Sequence, residues 1–96
     1  MNRDLEETRR LVLQGLRGTG ARVYLFGSWA KGNASRGSDI DVAVLGGQPV
    51  LPWVLGEIRE RLEESNVLYP VDLVDLSSSS SAFREKVLAE GILWSD

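Results

Sequence analysis

Apolar residues recur along this chain in two periods, and the two periods alternate. From Asn2 to Arg17, Leu5, Val12 and Leu16 fall near one stripe that Leu11 and Leu13 widen. Glu6, Glu7, Arg9 and Arg10 supply a polar side, so the spacing predicts an amphipathic covering helix. Gly18-Thr19-Gly20 ends it, because glycine accepts the left-handed geometry that terminates helices. Arg22 to Phe26 (RVYLF) is a run of β-formers stopped by Gly27 and reads as a strand. Ser28 to Asn33 predicts one or two turns of helix, and Asn33 to Ser38 a polar loop. Asp39 to Leu45 (DIDVAVL) returns to the strand period. After a Gly46–Pro49 turn, Pro52 to Glu64 is a helix with Val54, Leu55, Ile58 and Leu62 as its apolar stripe. Pro52 stands in the first turn, where a missing N–H does little harm.

Val71 to Leu76 (VDLVDL) reads as the third strand. Ser77–Ser81 reads as a flexible serine loop whose later hydroxyls cap the next helix, Ala82 to Glu90, which Gly91 stops. The tail is expected to tuck Ile92 and Trp94 against the body. Helix, strand, short helix, strand, helix, strand, helix is the order of an α/β (α+β) layer: a small mixed sheet of about three strands, with helices mainly on one face. No repeat or boundary interrupts it, so residues 1–96 are expected to form a single domain.

The second strand carries the first sign of chemistry. Asp39, Asp41 and Ala43 point one way and Ile40, Val42 and Val44 the other, since successive strand residues alternate faces. The apolar set predicts helix packing on its side and leaves the acids on the opposite, functional side. Two carboxylates at i and i+2 stand roughly 7 Å apart on one face. Burying them beside apolar residues costs several kcal/mol per ion unless a cation is present. The Gly27-Ser28 turn, meanwhile, offers backbone N–H groups to an anion. Metal and phosphate together point to nucleotide chemistry. A third acid sits in VDLVDL, but Asp72 and Asp75 lie on opposite faces of that strand, and parity alone does not choose between them.

Composition narrows the chemistry. The 96 residues, 43% hydrophobic and 26% charged, suit one soluble globular domain. Cysteine and histidine are both absent, which excludes disulfides, thiolate or imidazole zinc and any histidine triad. A metal must then be held by oxygen, which favours Mg²⁺ or Mn²⁺. No apolar run approaches the ~20 residues of a membrane span, and the charged N-terminus lacks a signal-peptide core, so a cytoplasmic location is expected. A net charge of −3 argues against an extended nucleic-acid surface and fits a small ligand or a protein partner.

The pattern G-S-x-A-x-G at Gly27–Gly32, then S-D-x-D at Ser38–Asp41, then a lone Asp on a later strand resembles the DNA polymerase beta-type nucleotidyltransferase superfamily. The small size, the VDLVDL strand and the helix ending EGILW resemble its minimal nucleotidyltransferases, found as antitoxin partners of HEPN-domain toxins. The likeness runs from Val23 to Trp94 and implies the polymerase beta-like fold. It implies that Gly27 and Ser28 hold the β- and γ-phosphates of a nucleoside triphosphate, with Ser38 adding a contact. It also implies that Asp39 and Asp41 bind two Mg²⁺ ions, with Asp72 rather than Asp75 completing the site. Lys31 stands where many relatives have arginine. Trp29 is open to base stacking or helix packing, and Arg36 to phosphate or solvent.

The function so implied is transfer of AMP from ATP to an acceptor hydroxyl. A chain this short has no room for an acceptor-binding domain, so the acceptor is expected on a partner, a tyrosine of a HEPN ribonuclease toxin. Two alternatives stand beside it. One is an antitoxin acting by contact alone, with Trp29, Trp53 and Trp94 as its interface. The other is nucleotidyl transfer to a small molecule.

Overall fold

A computed structural model describes residues 2–35 and 37–95; Arg36 lies outside them. The chain runs α1 (Arg3–Gly15), β1 (Arg22–Phe26), α2 (Gly27–Lys31), β2 (Ile40–Leu45), α3 (Pro52–Glu64), β3 (Val71–Asp75), a 3₁₀ turn (Leu76–Ser78), α4 (Ser81–Glu90) and β4 (Ile92–Leu93). The strands form one mixed sheet in the order β3-β2-β1-β4. β1 pairs antiparallel with β2 and β4, and β2 pairs parallel with β3.

The expected alternation sorts the sheet's two faces. Val23, Leu25, Ile40, Val42, Val44 and Leu73 form a buried cluster with Leu5, Leu11, Val12 and Leu16 from α1 and its end, and with Leu55, Ile58 and Leu62 from α3. The two long helices therefore cover one face, as the apolar side of β2 required. The opposite face bears Tyr24 and Ala43, which pack with Leu76 and Val87 of the 3₁₀ turn and α4. At full burial such side chains stabilise by about 1.5–3 kcal/mol each, so most of the folding drive lies on the α1/α3 side.

Three details depart from the sequence reading. The sheet has four strands, because Ile92 and Leu93 pair with Leu25 and Tyr24 along the free edge of β1. Glycine at 91 permits the crossing from α4 into β4: a Cβ there would stand 2.6 Å from the Val87 carbonyl and 3.1 Å from that of Leu25. In this extended tail Ile92 stays 46% exposed and only Trp94 is buried, at 3%. Val23 O accepts from the Trp94 N–H at 2.7 Å, and Arg9 Nε donates to Trp94 O at 2.9 Å.

The serine run, in turn, is bonded rather than loose. Ser77 donates N–H and O–H to Asp75 Oδ1, Ser78 and Ser79 donate to Asp75 O, and Ser80 caps α4 by accepting from Phe83 N–H. Finally, the three tryptophans form no common surface. Trp94 is buried, Trp29 packs partly buried against the α1/α3-side core, and Trp53 alone of the three is widely exposed, at 66%.

Candidate active site

The C-terminal end of β1 and the N-terminal ends of β2 and β3 meet at one edge of the sheet, and the residues singled out by sequence gather there. Gly27 makes the junction. Its φ of +73° turns the chain from β1 straight into α2, a conformation that costs an L side chain about 1–2 kcal/mol. A Cβ at this position would also collide with Asp41 Oδ2, so the glycine backbone lies directly against that carboxylate. Phe26, the residue before α2, offers no side-chain cap. The first N–H groups of a helix have no partner within it, and those of Gly27 and Ser28 belong to that set. Gly32, in the left-handed region at φ +76°, ends α2 after five residues.

Sheet register then places the acids. Asp41 is the parallel partner of Asp72 and the antiparallel partner of Phe26. Neighbouring partners point to the same face, so Asp72 stands beside Asp41 on the side away from α1 and α3. Asp75 pairs with Val44 instead and faces the other way. Its carboxylate is engaged there, with Oδ2 accepting from Val50 N–H at 3.1 Å and Oδ1 from Ser77. The ambiguity left by parity is thus resolved in space: Asp72 joins Asp41, and Asp75 ties the start of α3 to the end of β3.

Asp39 lies just before β2 and is exposed, while Asp41 is half-buried. The Asp41 carboxyl is pushed above the usual 3.8, first by burial and then by repulsion from Asp72 and from Asp39. Those three causes describe an acidic cluster with an unmet demand for positive charge. Among the described residues, no three acids are drawn close enough to grip an ion as they stand. The donor set itself, all oxygen with no histidine or cysteine in the chain, suits a hard divalent cation.

Ser38 sits in the loop entering β2. Its N–H donates to Ser35 O at 3.0 Å and its Oγ accepts from Ser35 N–H at 2.9 Å, so its first role is to shape that loop. Trp29 holds the loop from the other side. Its Nε1 donates to Ser38 O at 3.3 Å, and its ring meets Tyr69 edge-on at 5.0 Å. Of the two roles open to Trp29, packing is the one it adopts. Lys31 pairs with Glu90 of α4, N to O 3.5 Å, about half-exposed on both sides. Beneath that pair lies a cavity of about 200 Å³ between α2 and α4, walled by Phe26, Gly27, Phe83 and Val87. Sequence reasoning passed over it. Neither the register that sets Phe26 beside Asp41 nor the position of α4 was legible in one segment alone.

The comparisons with known proteins agree with this geometry. The family described as polymerase beta, nucleotidyltransferase matches residues 20–95. The protein adenylyltransferase MntA of Shewanella oneidensis is 39% identical over 69 residues, 72% of this chain and 49% of the relative. The chain spans about half the length of the relatives it matches. A crystal structure of a toxin–antitoxin with AMP-PNP superposes with TM-score 0.72 at 31% identity, covering 91% of this chain and 72% of the other. A complex of tri-AMPylated Shewanella oneidensis HEPN toxin with MNT antitoxin superposes with TM-score 0.65 at 27% identity, covering 94% and 71%. This chain belongs to the polymerase beta nucleotidyltransferase family.

Proposed function

We propose that this protein transfers AMP from ATP to a hydroxyl of a partner protein, a tyrosine of a HEPN-domain toxin, and thereby acts as an antitoxin. The observation that carries the reading is Asp41, set against the Gly27 backbone and flanked by Asp72 on the next strand, with its carboxyl raised first by burial and then by Asp72 and Asp39. The names of the matched proteins support the acceptor and the nucleotide: a protein adenylyltransferase, and a toxin–antitoxin solved with AMP-PNP.

The N–H groups of Gly27 and Ser28, with the Ser28 hydroxyl, hold the β- and γ-phosphates at the start of α2. Ser38, held in its loop by its bonds to Ser35, adds a hydroxyl donor there. Asp39 and Asp41 would hold two Mg²⁺ ions, or Mn²⁺, with Asp72 shared to one of them; when bound they neutralise the triphosphate and lower the cost of charge on the entering and leaving oxygens. Asp72 takes the proton of the acceptor hydroxyl as its oxygen attacks the α-phosphorus. The new O–P bond forms as the bond to the β-phosphate oxygen breaks. Pyrophosphate leaves, and the proton passes from Asp72 to water.

The test is transfer of label from ATP in Mg²⁺ to the protein encoded beside this one. Label should appear on a tyrosine and be lost with Asp39→Asn. No transfer from any nucleotide, with Asp39→Asn indistinguishable from the parent, refutes the proposal. Neutralisation that survives Asp39→Asn and Asp41→Asn together would assign the protein to inhibition by contact.

A further inference from the structure

Trp29 takes no part in the proposed chemistry, yet it touches each of the segments that carry it. It follows Ser28 directly in α2, a five-residue helix with no side-chain cap at its start. Its Nε1–H donates at 3.3 Å to the carbonyl of Ser38, the residue just before Asp39. Its ring meets that of Tyr69 edge-on at 5.0 Å. Pro70, the next residue, accepts the Ile40 N–H at 2.9 Å where β2 and β3 begin to pair. One indole therefore joins the start of α2, the entry to β2 and the entry to β3. We infer that Trp29, propped by Tyr69, is a positioning residue for the metal site: its N–H holds the Ser38 carbonyl so that Asp39 is presented on the same side as Asp41.

The inference rests on the transferase reading of the acids and extends it to a residue that meets neither nucleotide nor ion. Trp29 and Tyr69 pack with the α1/α3-side core, away from the face that bears Asp41 and Asp72, so their effect passes through the backbone. The two acids of β2 differ in what fixes them. Asp41 is held by its pairing with Phe26 and Asp72. Asp39 is exposed and precedes the first paired residue, Ile40, so sheet register does not place it. Ser38 must do so instead, and its N–H and hydroxyl engage only Ser35 in the preceding loop. Among the described residues, the indole N–H is what ties Ser38 itself to the body of the protein. A half-buried tryptophan needs a partner for that N–H, and here the partner is the carbonyl next to a metal-site acid. Without the bond an arriving ion has to order Asp39 itself. Its apparent affinity then falls by the fraction of chains in which Asp39 is already in place.

The experiment is calorimetric titration of the full chain with Mn²⁺, with thermal unfolding in EDTA alongside, for the parent, Trp29→Phe and Trp53→Phe. Phenylalanine at 29 keeps a ring against Tyr69 and removes the donor. It should weaken Mn²⁺ binding about 2- to 12-fold, the span of one neutral hydrogen bond, with unfolding in EDTA unchanged. Trp53→Phe, at an exposed position on α3, should match the parent in both. A second measurement needs no change at Trp29: Mg²⁺ should shift the tryptophan emission of the parent as Asp39 closes on the ion, and leave that of Asp39→Asn unshifted. Equal Mn²⁺ affinity in the parent and Trp29→Phe overturns the assignment, and so does a loss that comes only with a matching fall in thermal stability. Unchanged emission in a parent saturated with Mg²⁺ overturns it as well; in all three cases the metal reading of the acids stands. A parent that binds no Mn²⁺ overturns the two readings together.

Discussion

Replacing Asp41 by asparagine should stabilise the ion-free protein near neutral pH, although it removes a central residue of the site. Asp41 and Asp72 are register partners on strands that run about 4.8 Å apart, so charges roughly 6 Å apart repel by about 0.7 kcal/mol in water-like surroundings and about 2.8 kcal/mol at a protein-surface dielectric. Asp41 is only half-buried, and solvent screening keeps the expected gain toward the lower end, about 1 kcal/mol. For a domain this size that corresponds to a rise in Tm of about 4–8 °C.

The pH dependence gives the effect its signature. The folded-state carboxyl titrates above 3.8, so between that value and its raised one the folded chain binds a proton that the unfolded chain has released. Wild-type stability from this group is full below 3.8 and is lost as pH rises through the raised value. Asparagine does not titrate, so the gap between variant and parent should be near zero at acid pH, open through that window and stay flat above it. Thermal unfolding followed by circular dichroism in EDTA across this range measures it. A variant less stable than the parent at neutral pH, or a gap larger in acid than at neutrality, refutes the reasoning. Mg²⁺ should close the gap by stabilising the parent alone.

Three further substitutions separate chemistry from architecture. Gly27→Ala meets both the positive φ and the Asp41 carboxylate, and should cost about 1–3 kcal/mol in denaturant unfolding while removing nucleotide binding by calorimetry. Asp75→Ala strands the Val50 and Ser77 donors and should cost about 1–3 kcal/mol in the same unfolding assay, yet leave transfer by the folded fraction near the parent rate. Asp72→Asn should do the reverse, abolishing transfer with little loss of stability.

The contrast between those two acids shows where sequence reading reached its end. Alternation on β2 separates Asp39 and Asp41 from Ile40, Val42 and Val44 without a structure, because the side-chain period of a strand is two. The same period says that Asp72 and Asp75 face apart, but not which one faces Asp41. That depends on how β3 registers against β2, and register is a relation between two segments. Only the family resemblance favoured Asp72 in advance. The fourth strand escaped for a related reason. Ile92 and Leu93 are an ordinary apolar pair after a glycine until the free edge of β1 is known, and that edge exists because β2 and β3 occupy the other side.

What was legible, then, was what one segment settles alone, and the site is largely of that kind. Gly27, Ser28, Ser38, Asp39 and Asp41 lie within fifteen residues, on the start of α2, the loop after it and β2, whose strand pairs with the β1 that leads into Gly27. What required the fold was what reaches the site from further along the chain, Asp72 on β3. The division has a functional sense. The local segment carries the groups proposed for phosphate and metal, which need short reach and fixed backbone geometry. Asp72, delivered by a later strand, stands where the acceptor hydroxyl is proposed to approach. Variation in acceptor preference within the family should therefore concentrate after β2, and exchange of the segment after β2 between two relatives with different acceptors should carry the preference with it.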